Sequence, residues 1–160
     1  MATMTNPARA GQAKLNKDKD IHVAWGQGSA SWDVTPVPVD INASTLLSEY
    51  GRRKASQVAF CVPDVNGDIE VPGGKFTLSL TPSKYLYVRC SFSATDQPTG
   101  FIREVAVFVD TIAKSTVPSS RQYLVPADIE SPGTIVCIEH IGAIPRSNGI
   151  RQQFEFVIQF

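Results

Sequence analysis

The chain is short of charge. Only 19% of its 160 residues are Asp, Glu, Lys or Arg, below the ordinary share of about a quarter. Fifteen basic and fifteen acidic residues give a formal net charge of zero. That removes the simplest case for nucleic acid or an anionic membrane as partner. A near-neutral, sparsely charged surface favours association over life as a free monomer. Histidine is nearly missing, with only His22 and His140. Nucleophilic catalysis needs a serine or cysteine placed by a histidine, and no Gly-x-Ser-x-Gly elbow surrounds any serine. Cysteine is scarce too. Cys61, Cys90 and Cys137 sit in apolar, strand-like contexts without CxxC spacing, which reads as reduced core thiols from a reducing compartment. No apolar run approaches the roughly 18 residues of a membrane helix, and the N-terminus lacks the apolar core of a signal peptide. The expectation is a non-enzymatic protein with no cofactor, metal, membrane or small-molecule substrate, made in the cytosol or assembled there into a particle.

Two local patterns approach ligand motifs and fall short. Gly26-Gln27-Gly28 lacks the helix and lysine of a phosphate loop. Asp64, Asn66 and Asp68 match the first three positions of a calcium loop, but Ile69 stands where glycine is needed and Lys75 where glutamate is needed. A polar hairpin tip is the better reading, because Asn66-Gly67 between apolar flanks is a strong turn signal.

What the sequence does have is β pattern. Gly100 to Asp110 is apolar on both alternating faces, as in a strand covered on both sides. Further strands are expected at Ile21–Gly26, Ser56–Val62, Phe76–Leu80, Tyr85–Phe92, Gln122–Val125, Thr134–Ile141 and Gln153–Phe160. Asn148-Gly149 should close a loop after Pro145, and a loop with Asp96 and Pro98 should lead into the central strand. Asn42–Gly51 is the helix candidate, with Asn42 or Ser44 as cap, Leu46, Leu47 and Tyr50 as apolar stripe, and Gly51 as stop. Arg52-Arg53-Lys54 then reads as favourable charge at a helix C-terminus, or as a docking patch for an acidic neighbour. Residues 1–20 are small and polar, an arm that is flexible alone or ordered by a partner. Residues 21–160 are expected to form a single β-rich domain. The fold class is therefore mainly β: an antiparallel β-sandwich or barrel-like domain with one short α-helix and an extended N-terminal arm.

The order of several pieces carries a resemblance. Ile21-His22-Val23-Ala24-Trp25-Gly26-x-Gly28 is followed by Trp32-Asp33, then by Thr45-Leu46-Leu47-Ser48-Glu49-x-Gly51-Arg52-Arg53. Val62-Pro63-Asp64-x-x-Gly67-x-Ile69, Tyr85-Leu86-Tyr87 and Phe101-Ile102-Arg103-Glu104-Val105-Ala106-Val107-Phe108 come next. This order, over about Ile21 to Asp110, resembles bacteriophage tail and baseplate proteins of contractile-tailed phages. More distantly it is similar to the N-terminal attachment (collar) domain of tail fibres. The resemblance implies a structural virion protein, a baseplate subunit or a baseplate-to-fibre adaptor. Its partners would be other tail, baseplate or tail-fibre proteins, and it would be multi-copy in a symmetric assembly.

Two sets of residues follow as candidates. Glu104 is expected to pair with Arg52, Arg53 or Arg103, because a charge in so apolar a strand needs a partner or a rim position; the alternative is a rim charge pair that contributes little. Trp25, Trp32, Phe154, Phe156 and Phe160 are candidate subunit contacts, the last three on one face of an apolar terminal strand that the domain's own core, or else another subunit, must cover. The competing reading is a monomeric carbohydrate-binding β-sandwich, with Trp25, Trp32 and Tyr85 as stacking platforms.

Overall fold

A computed structural model describes residues 1–97, 99–147 and 149–160. Pro98, and Asn148 of the expected Asn148-Gly149 turn, lie outside the described residues. The protein is mainly β, with antiparallel sheets, one of them nearly closed and barrel-like. The chain forms two compact units.

The first unit comprises Met1–Lys19, Ala55–Cys90 and Gln153–Phe160. Its helix α1 (Asn6–Lys17) precedes strands β3 (Gln57–Pro63), β4 (Ile69–Val71), β5 (Gly74–Ser79), and most of β6 (Tyr85–Phe92) and β12 (Gln152–Gln159), whose Ser91, Phe92 and Gln152 belong to the second unit. The sheet order is β12-β6-β3-β5-β4. The core collects Cys61, Ile69, Phe76 and Tyr87. Asn66-Gly67 does turn the chain, with the Asp64 carboxylate accepting the Asn66 N–H at 2.9 Å. The turn does not join neighbouring strands, however. β5 inserts between β3 and β4, and Phe76 stands opposite both Pro63 and Ile69.

The second unit comprises Asp20–Lys54 and Ser91–Gln152. It holds β1 (Ile21–Gly26), β2 (Glu49–Lys54), β7 (Gly100–Val109), β8 (Ile112–Ala113), β9 (Tyr123–Leu124), β10 (Ile129–Ser131) and β11 (Thr134–Arg146). The main sheet runs β11-β7-β1-β2-β9, beside a small β10-β8 pair. Ile102 through Val109 are buried without a break, as the two-sided apolar pattern of this stretch requires.

The helix lies elsewhere than expected. Asn42–Gly51 is not helical: Leu46 enters the core with Ala24, Ala106 and Phe108, Leu47 turns outward, and β2 begins at Glu49. Gly51 is a strand glycine with the Tyr123 ring pressed against it, so close that a Cβ would meet the ring carbon at 2.7 Å. The actual helix, α1, rests on local signals. Thr5 caps it, a proline opens it, and Lys14 and Lys17 close it. Only Ala13 is buried along it, so apolar periodicity could not reveal it.

Candidate functional site: a pinned loop on the main sheet

Between β1 and β2 the chain leaves the sheet and returns. Gln27 and Gly28 donate backbone N–H groups to the carbonyls of Ser48 and Leu47, both at 3.1 Å. The excursion is thus stapled at its base. Three residues on β7 and β11 hold the rest.

Glu104 sits beneath the staple. It is opposite Gly26 on one side and His140 on the other. Burial pushes its carboxyl up to about 7, against the pull of backbone N–H groups at Leu47 and Gly28. Its Oε1 is buried and has no hydrogen-bond partner among the described residues.

Arg103, the next residue, turns to the loop. Its guanidinium grips the Asp33 carboxylate, Nε to Oδ1 at 2.9 Å and Nη2 to Oδ2 at 2.8 Å. A further N–H reaches the Gln27 carbonyl at 3.3 Å. This bidentate contact holds the Asp33 carboxyl below the usual range. His140 completes the hold. Its Nδ1–H donates to the Val37 carbonyl at 2.8 Å, and its ring stacks on Trp32 with centroids 4.1 Å apart. The β7–β11 register shifts between His140 and Ile144. A cavity of about 540 Å³ opens there, lined by Trp32, Pro36 and Val37 from the loop and by His140, Ile141 and Gly142 from β11.

With polar groups spent on holding the loop, apolar ones face outward. Val34 is 86% exposed, Val37 45% and Ile41 95%. The loop's own charged residues are all acidic. Neither Asp20–Gly51 nor Gln122–Pro145 contains a lysine or arginine, while the two stretches carry Asp33, Asp40, Glu49 and Glu139 among their acids.

Among the described residues, Arg52, Arg53 and Arg103 of the expected set each pair with an acid other than Glu104. Each arginine has a different acid. Arg52 is bidentate to Glu49 at 2.8 and 2.9 Å, bonds Thr111 and the Pro132 carbonyl, and lies 3.7 Å from the Phe108 ring centroid. Arg53 reaches Asp96 at 2.8 Å. These bonds explain why so charged a segment runs as strand β2. Trp25 is also not a surface contact. It is fully buried, stacked on Phe92 at 3.7 Å, with its indole N–H on the Tyr123 hydroxyl at 3.0 Å. Phe156 is buried in its own unit, while Phe154 and Phe160 are half-buried along the edge strand β12. Trp32 is half-exposed on the loop. Asp33 and His140 escaped sequence reasoning as site residues. Their partners lie 70 and 103 positions away, and no local spacing encodes such pairs.

Comparison with known proteins adds the family context. A family model described as baseplate wedge 3 tail fiber network component matches residues 1–160. The chain is also similar to "Virion protein 3" of Enterococcus phage phiEF24C, 26% identical over 175 residues, covering 99% of this chain and 94% of that one.

Proposed function

Since the chain belongs to the baseplate wedge 3 tail fiber network component family, a structural family of the phage virion tail, we propose that it is a non-enzymatic adaptor between baseplate wedge and tail fibres. It works through fixed protein–protein contacts and is present in several copies around the tail. The observation that carries this reading is the division of labour in the loop. Asp33, Arg103 and His140 are engaged in holding it, and Val34, Val37 and Ile41 are presented to the outside. A contiguous exposed apolar segment on a rigid sheet is what a subunit interface uses. Half-exposed Trp32 and the half-buried Phe154 and Phe160 are its candidate companions at subunit contacts. Trp25, sealed in the core, offers no stacking platform for a sugar.

The test is the solution mass of the purified chain, alone and mixed with each of the phage's other tail proteins. A defined complex supports the adaptor. A monomer that ignores every tail protein removes it.

A further inference from the structure

We propose that Val34–Ile41 is a docking segment, which seats in an apolar groove rimmed by lysine or arginine on another tail protein. This rests on the adaptor reading and says which surface does the work and what it meets.

Three observations carry it. First, Pro36 and Pro38 fix φ in a segment that has no strand neighbour, so the stretch is held extended before any partner arrives. The Val37 carbonyl is tied down by His140 and the preceding turn by Arg103. Little chain entropy is left to lose on binding, which is the condition under which a short segment binds well. Second, its outward side chains are large and apolar, Val34 and Ile41 being almost wholly in water. Third, the surroundings select the sign of the partner. Asp40 is exposed beside Ile41, the stretch Asp20–Gly51 contains no lysine or arginine, and Arg103, which reaches the loop from β7, is buried and paired with Asp33. Charge complementarity then calls for a basic rim around the receiving groove. A second copy of this surface would bring acid against acid.

The experiment uses the full-length chain and each other baseplate and tail-fibre protein of the phage, purified singly, with affinity read by calorimetry at two salt concentrations. At least one protein should bind, more weakly at the higher salt. Val37→Asp and Ile41→Asp should each weaken binding tenfold or more. Asp40→Lys should also weaken it and reduce the salt dependence. Leu80→Asp, at an exposed position of the other unit, should leave it unchanged. Thermal melts of the variants show that each is folded. Binding that survives both Asp substitutions in folded protein overturns the docking segment and leaves the adaptor standing. Binding only to a second copy of the chain overturns both. No binding to any tail protein overturns both.

Discussion

The carboxyl of Glu104 lies against the backbone of Gly26, so closely that a methyl group on Gly26 would stand 2.5 Å from Oε1. Glycine at this position is a matter of space, because the strand has no room for a side chain over a buried carboxyl. Gly26→Ala must therefore displace Glu104 from beneath the loop base. The expected cost is about 1–3 kcal/mol, the usual range for overpacking a tight interior. A thermal or denaturant melt reads it directly, and an unchanged midpoint would show that Glu104 moves freely.

Glu104 also predicts a pH dependence. Its folded pKa, about 7, lies above its ordinary value of 4.5. The folded state therefore holds the proton more tightly than the unfolded chain does. The stability this group contributes is fullest below pH 4.5 and falls as pH rises towards 7, by up to about 3 kcal/mol. Glu49 is the nearby acid that adds to the effect. Glu104→Gln should flatten this slope and gain on the wild type with rising pH. Parallel slopes for the two proteins would exclude Glu104 as the source.

His22 predicts the opposite slope. Burial and the nearby Arg52 lower its pKa to about 4, and its Nδ1 is buried without a partner among the described residues. The unfolded chain takes up this proton below pH 6.5, while the folded chain resists. Stability is lost as pH falls from about 6.5 to 4. His22→Gln should remove that acid-side loss, seen in melting midpoints across the interval.

Asp33 holds the loop without filling a core. Asp33→Ala leaves the buried Arg103 guanidinium without its carboxylate, so it should lower the melting midpoint and free the segment around Trp32. The stretch from Asp20 to Gly51 offers trypsin no site, so limited chymotrypsin digestion is the suitable probe. Cleavage at Trp32 should speed up several-fold. Equal rates would mean that the staple and His140 suffice.

Trp25 belongs to the core, and its removal should show it. Trp25→Ala is expected to cost about 3–5 kcal/mol. Tyr123→Phe removes the hydroxyl that accepts the indole N–H at 3.0 Å and should cost about 1 kcal/mol. The first loss would not follow from trimming an exposed contact.

Most strands were legible because their alternation is strong. Ile21–Gly26 and Tyr85–Phe92 agree with the structure to the residue. The failures have physical causes. β2 is highly charged, and Glu49 together with the distant Thr111, Pro132 and Asp96 makes Arg52 and Arg53 tolerable there. Leu46 and Leu47 sit side by side yet face opposite environments, so a helical stripe was read where the chain bends at Ser48, whose φ is 57°. For the site, Arg103 and Glu104 stood out as charges in an apolar strand. What they touch could not be read, because Asp33 and the loop base reach them only through the folded sheet.

The staple at Gln27–Ser48 and Gly28–Leu47 makes the loop separable from its support. β1 and β2 pair with each other whatever length of chain runs between them. Doubling a flexible loop adds only about 0.6 kcal/mol of closure entropy, a small charge on the stability of the whole. The same two strands can therefore carry a longer or shorter excursion on one scaffold.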